Sequence, residues 1–195
     1  MILKTNMKNL KLFLVALLAV VSVSSCMKTE TNDFDYEANQ RRIDSTLKKQ
    51  APLIEAYARE HFGDNIDSAY GIWYEVLPTT VDSAAFEYVS AGNGWVPVIA
   101  NVKYKGELMD GKVFEEKTTA TQMTINRLIT SWMVMFYPKA SSGYSGVLPH
   151  GLLKGNKVRF IAPSPLCYDN QAQENIPADS PLIFTIEVTD IRNAN

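Results

Sequence analysis

The amino-acid sequence predicts an α+β fold, an antiparallel twisted β-sheet covered on one face by a short helix and preceded by a helical arm. Three observations carry this. Across residues 96–108, Val98, Ala100, Val102, Tyr104 and Leu108 fall on one side of an extended chain and Asn101, Lys103, Lys105 and Glu107 on the other. Such period-two alternation belongs to an antiparallel sheet with one buried and one wet face. Leu182, Phe184, Ile186 and Val188 repeat the pattern near the C-terminus. Residues 128–136, largely apolar and containing Trp132, are the candidate for the covering helix.

At the N-terminus, Lys4, Lys8 and Lys11 precede an apolar run over 12–21, too short to span a bilayer, and this reads as a secretory signal. The run ends in Val23-Ser24-Ser25-Cys26, which resembles the bacterial lipobox, whose cysteine is diacylated and becomes the new N-terminus. Each buried methylene contributes ~0.8 kcal/mol, so two acyl chains hold a protein firmly where one is marginal. The expected organisation is a signal peptide over 1–25, a polar tether over 26–35, a helical arm over 36–63 and the main domain over 70–191. The expected location is exported and lipid-anchored on a bacterial membrane, the outer membrane by preference, at its periplasmic or surface face.

In the arm, Tyr36, Ile43, Leu47, Ile54, Ala58 and Phe62 recur at helical spacing. Pro52 suits a first helical turn, which predicts two helices with a break near Gln50 and a stop at Gly63. Two uses of the apolar stripe stand open: packing against the protein's own sheet, or homodimerisation through the arm. Strands are expected over 70–77, 85–89, 96–108, 157–162 and 182–191.

Several function classes are excluded. The chain has 19 basic and 21 acidic side chains, and loss of the leader's three lysines makes the remainder more acidic still, which does not favour nucleic acid. Once Cys26 is acylated, Cys167 has no partner for an intramolecular disulfide and reads as a buried, inert thiol. His61 and His150 lack neighbours at metal-ligand spacing. No Ser/His/Asp set, phosphate loop or dinucleotide fingerprint is present, so no cofactor is implied.

Further along, Tyr104-Lys-Gly106-Glu-Leu108-Met-Asp110-Gly111-Lys-Val-Phe114-Glu115 resembles the strand, turn and strand of the FKBP-type peptidyl-prolyl isomerases, Y-T-G-x-L-x-D-G-x-x-F-D. Residues 71–77 resemble the family's first strand, and Leu128-Ile129-Thr-Ser-Trp132 its V-I-x-G-W element. Residues 151–168, ending Pro163-Ser-Pro-Leu-Cys-Tyr168, resemble G-M-x-x-G-x-K-x-x-x-x-I-P-x-x-L-A-Y, and 176–184 resemble I-P-P-x-x-x-L-x-F. These matches come in family order.

The resemblance implies a sheet wrapped around the short helix and a pocket for proline and the residue before it, with proline-containing polypeptides as clients. Carried over by position, Tyr104, Phe114, Glu115, Ile129, Trp132, Tyr168, Ile176 and Phe184 would form the site, with Trp132 as its floor. Rotation about an X-Pro bond is slowed by an amide barrier of ~18–20 kcal/mol, and a pocket that favours the twisted amide needs no acid–base pair. Glu115 stands where aspartate is usual, Ser131 and Asp169 replace usual glycines, and 138–146 reads as an inserted loop that would cover or narrow the pocket. Two functions remain: an isomerase assisting the folding of exported proteins, or an FKBP-like binding or chaperone module with little isomerase activity.

Overall fold

The computed structural model describes residues 35–79, 86–91, 94–139 and 145–194. The expected signal peptide, Cys26 and the tether up to residue 34 lie outside the described residues, as do 140–144 of the expected insertion. In chain order the elements are α1 (Tyr36–His61), β1 (Ile66–Ala69), β2 (Ile72–Leu77), β3 (Ser90–Ala91), β4 (Gly94–Trp95), β5 (Val98–Leu108), β6 (Val113–Thr124), α2 (Thr130–Phe136), β7 (Lys157–Ala162) and β8 (Leu182–Asn193). Short 3-10 turns occupy Ile125–Arg127 and Ser164–Leu166. Strands β3 and β4 pair only with each other; the other six form one antiparallel sheet in the order β1-β2-β7-β8-β5-β6.

β5 alternates buried and half-buried residues along its whole length, and Leu182, Phe184, Ile186 and Val188 of β8 are buried on the same inner face. β7 falls where the sequence puts it. Three differences have local causes. Within 70–77, Tyr70 and Gly71 are a turn with positive φ (55° and 78°), so the segment is the second half of a β1–β2 hairpin. β1 escaped notice because Ile66-Asp-Ser-Ala holds one large apolar residue. Residues 86–89 are not a strand: the Tyr88 hydroxyl donates to the Leu152 carbonyl (2.7 Å) and its ring packs edge-on to Phe86 (4.9 Å), so the aromatic alternation serves packing rather than a ladder. β6, read only through the resemblance, is largely polar because it lies at the sheet edge.

The arm is one helix, not two. Pro52 sits inside α1, where it removes a hydrogen bond and crowds the preceding turn. Packing beyond it keeps the helix running: Ile54, Ala58 and Phe62, spaced by four, bury against Ile161 of β7 and Ile183 of β8 on the sheet's outer face. Past the end of α1, the Gly63 N–H donates to Glu75 Oε2 (2.8 Å), and Arg159 donates to the His61 carbonyl (2.8 Å) while bonding Glu75 through Nε (2.7 Å). The Arg159 guanidinium also lies 4.5 Å over the Phe62 ring. Of the two uses left open for the stripe, packing on the protein's own sheet is what these residues do.

The inner face carries the main core. Ile72, Val98, Ala100, Val102, Val158, Phe160, Leu182 and Ile186 surround α2, whose Ser131, Trp132, Val134, Met135 and Phe136 are all buried. Because Ile54 is 1% exposed between arm and sheet, Ile54→Ala should lower unfolding free energy in urea by about 2–4 kcal/mol. Leu53→Ala, one position along and 57% exposed, should stay within about 0.5 kcal/mol of wild type.

Candidate functional site

Where α2 begins, the sheet and helix leave a cleft of about 320 Å³. Its lining comes from several separate parts of the chain. Tyr104 projects from β5, Phe114 and Glu115 from β6, Ile129 and Trp132 from the start of α2, and Phe184 from β8. Tyr168 borders it from the connection between β7 and β8. Seven of the eight residues singled out from the sequence thus meet at one cleft. Ile176 does not line it: its side chain is buried in the main core, and its backbone pairs with Gln173. Met123, Arg127 and Leu128 complete the lining. Leu128 adjoins Ile129 in the same motif; Met123 lies in a strand that periodicity passed over, and Arg127 in a 3-10 turn no pattern marks.

The rings form one packed set. Trp132 meets Tyr104 (5.2 Å between centroids) and Phe184 (5.5 Å) edge-on, and Phe114 meets Phe184 edge-on at 5.7 Å. Edge-to-face contacts at such distances are favourable beyond the area they bury. Gly106 explains how Phe114 reaches the wall: a Cβ built there would stand 2.4 Å from the Phe114 ring, which therefore packs on bare backbone. Gly111, at φ 84°, supplies the positive angle of the Asp110-Gly111 turn joining β5 to β6.

Both tyrosines at the cleft stay protonated at neutral pH. Burial, then hydrogen bonding to Glu115 and its charge, raise the Tyr104 phenol; burial, then the Glu115 charge, raise that of Tyr168. Glu115 itself is half-exposed at the mouth, 3.7 Å from Lys117. No described residue hydrogen-bonds the Tyr168 hydroxyl or the Ile129 N–H. Beneath the rim, Ser131 takes the place of a residue without a side chain and sets its hydroxyl 3.6 Å from Cys167 Sγ. Burial pushes that thiol up to about 12, so it stays protonated and unreactive at neutral pH.

The described flanks of the expected insertion bond to one another and to α2. Lys139 donates to the Leu148 carbonyl (2.8 Å), Gly146 to that of Pro138 (3.1 Å), and Val147 to that of Val134 (3.0 Å). None of these residues lines the cleft, so the described part of the insertion neither covers nor narrows it.

An antiparallel sheet packed on a short buried helix, with an aromatic cleft at the helix's leading end, defines an α+β domain built to hold a small, mostly apolar group. Residues 98–189 match the family model of FKBP-type peptidyl-prolyl cis-trans isomerase, and this part of the chain belongs to that family. It is 25% identical over 194 residues to the FKBP-type peptidyl-prolyl cis-trans isomerase FkpA of Escherichia coli K12, covering 91% of this chain and 64% of the relative. A probable FKBP-type peptidyl-prolyl cis-trans isomerase of Haemophilus influenzae is 28% identical over 162 residues, covering 80% of this chain and 61% of the relative. The chain therefore spans less than two thirds of the length of these curated relatives.

Among solved structures, a peptidyl-prolyl cis-trans isomerase from Pseudomonas syringae pv. tomato superposes with TM-score 0.54 at 22% identity, over 77% of this chain and 96% of its own. Escherichia coli FkpA superposes with TM-score 0.51 at 20% identity, over 99% and 85%. These two share the fold.

Since Phe114 lies on the bare backbone of Gly106, Gly106→Ala should cost about 1–3 kcal/mol by overpacking. Shortening the ring in Gly106→Ala/Phe114→Leu should recover part of that loss. Denaturant titration of both single variants and the pair checks this, and strictly additive losses would contradict the contact.

Proposed function

We propose that the cleft is a peptidyl-prolyl cis-trans isomerase site acting on proline-containing polypeptides. The observation that carries this reading is the meeting of four rings, Tyr104, Phe114, Trp132 and Phe184, from four separate elements around one cleft of about 320 Å³. A proline ring seated on Trp132 would be walled by Phe114 and Phe184. The Ile129 N–H and the Tyr168 hydroxyl would be free to donate to the peptide carbonyls on either side.

No bond is made or broken in the reaction. In the planar amide the carbonyl oxygen carries extra charge through resonance; in the twisted amide that conjugation is lost. Withdrawing the peptide from water into an apolar cleft removes solvation from the more polar planar form and so favours the twisted one. A rate gain of ~10⁴ needs a difference of only ~5.5 kcal/mol between the two forms. Glu115, engaging Tyr104 at the mouth, would orient that phenol against the bound chain. The geometry favours catalysis over a plain binding module because the unpaired donors stand beside the apolar floor.

Assay of the full chain on a prolyl peptide should show catalysed isomerisation, and Trp132→Leu should lose at least about tenfold in kcat/KM while remaining folded. Isomerisation no faster than the uncatalysed rate in wild type would overturn this reading.

The same reading places the domain outside the cytoplasm on a lipid anchor at Cys26. Its support is the leader pattern of residues 1–26. Self-association through the arm would use the side of α1 away from the sheet, where Leu53 is exposed. Metabolic labelling with a fatty acid should mark wild type and fail to mark Cys26→Ala; equal labelling of both, or labelling of neither, would contradict the anchor.

A further inference from the structure

The connection from β7 to β8, residues 163–181, carries Tyr168 to the rim of the cleft, and its shape rests on two unusual residues. Asp169 and Asp179 both have positive φ (53° and 57°), and the Asp179 N–H donates to the Asp169 carbonyl (2.8 Å). The loop's neck is therefore a pair of left-handed aspartates, a conformation that aspartate tolerates better than most residues but does not prefer. Nearer its start, the Asp169 and Cys167 N–H groups both donate to the Ser164 carbonyl (2.8 Å each).

All three points, Ser164, Asp169 and Asp179, are held by α1. Arg42 grips the Asp169 carboxylate with both guanidinium arms, Nη1 to Oδ1 at 2.9 Å and Nη2 to Oδ2 at 2.5 Å. Gln50, itself buried, accepts from the Ser164 N–H (2.8 Å) and donates to Ser164 Oγ (2.9 Å) and the Asp179 carbonyl (2.8 Å). The orientation of that amide is fixed chemically, since a backbone N–H can only donate and a carbonyl can only accept. Arg42 and Gln50 are the polar head of the spacing-of-four line that continues through Ile54, Ala58 and Phe62. One ridge of the helix thus packs the sheet with its apolar half and clamps this loop with its polar half.

Tyr168 sits between two such supports. On one side Cys167 contacts Ser131 of α2 (3.6 Å); on the other, Asp169 is bound by Arg42. Its hydroxyl has no hydrogen-bond partner among the described residues, so its place at the rim is set by its backbone neighbours.

We infer that Arg42 and Gln50 are positioning residues for the cleft: through Asp169, Ser164 and Asp179 they make α1 the part of the chain that sets Tyr168. The catalytic consequence rests on the isomerase reading above, whereas the positioning itself does not. The residue that replaces a glycine in the resembling motif is then no flaw in the site, because its carboxylate is the handle by which the arm holds the loop.

Two measurements on the full chain, compared among wild type, Arg42→Ala and Arg42→Lys, test this. In hydrogen–deuterium exchange, Arg42→Ala should exchange severalfold faster over 163–181, with peptides from β5 and β8 unchanged. Arg42→Lys, which keeps the charge but not the two-pronged grip, should fall between. Unchanged exchange over 163–181, or an equal rise in β5 and β8, would overturn the positioning role. In the isomerase assay, kcat/KM should fall about tenfold in Arg42→Ala, a small misplacement of a contact group, and recover partly in Arg42→Lys. A loop that opens with kcat/KM unchanged would overturn the catalytic consequence. An inactive wild type would instead overturn the isomerase reading, leaving exchange to decide the positioning.

Discussion

Helix α2 is only seven residues long, and a helix of that length has almost no stability of its own in water. It persists because the inner face of the sheet encloses it, with Met135 and Phe136 fully buried and Trp132 nearly so. The cleft follows from that enclosure. Rings that pack around Trp132 at the leading end of the helix, Tyr104 and Phe184, are both core and cleft wall. Residues set further in, such as Phe160 and Ile176, are core alone, and those left half-buried at the rim, Phe114, Leu128, Ile129 and Tyr168, complete the site.

What was legible in the sequence was whatever repeats or contrasts. The alternation in β5 and β8 and the apolar segment around Trp132 sufficed for the fold class, and family motifs drew seven cleft residues together. Ile176 packs in the core instead of lining the cleft, a distinction that a motif match, which preserves only position along the chain, does not carry. Pro52 suggested a helix break because a local rule cannot weigh the packing that follows it at Ile54, Ala58 and Phe62. Arg42 and Gln50 were opaque for a related reason, and Asp169 stood out only as a replaced glycine. Polar residues on a helix read as a solvated face unless their partners, more than a hundred positions away, are known.

The arm also accounts for the uneven character of the sheet's outer face. Over β7 and β8 that face is apolar at Ile161 and Ile183, and Arg159 and the buried Glu75 bond each other at its margin. Beyond the helix, over β5 and its neighbours, it is wet. There Lys103 pairs with Glu187 (3.4 Å) and Lys105 with Glu107 (2.9 Å). These half-buried pairs are still reached by water, so they mark where cover ends more than they hold the sheet together.

Among the described residues, strand β6 ends the sheet on the side that carries Phe114, so one wall of the cleft is also a strand edge. Such an edge offers unpaired backbone groups to any extended chain nearby, and an unfolded polypeptide is an extended chain. Two features blunt it. Glu115, Glu116 and Lys117 place consecutive charges along it, and residues 118–120 bulge opposite the single residue Lys103, interrupting the ladder. An extended chain arriving at this side finds the cleft but no long template to zip onto. Contact along this edge stays local, which guards the domain against strand-by-strand aggregation.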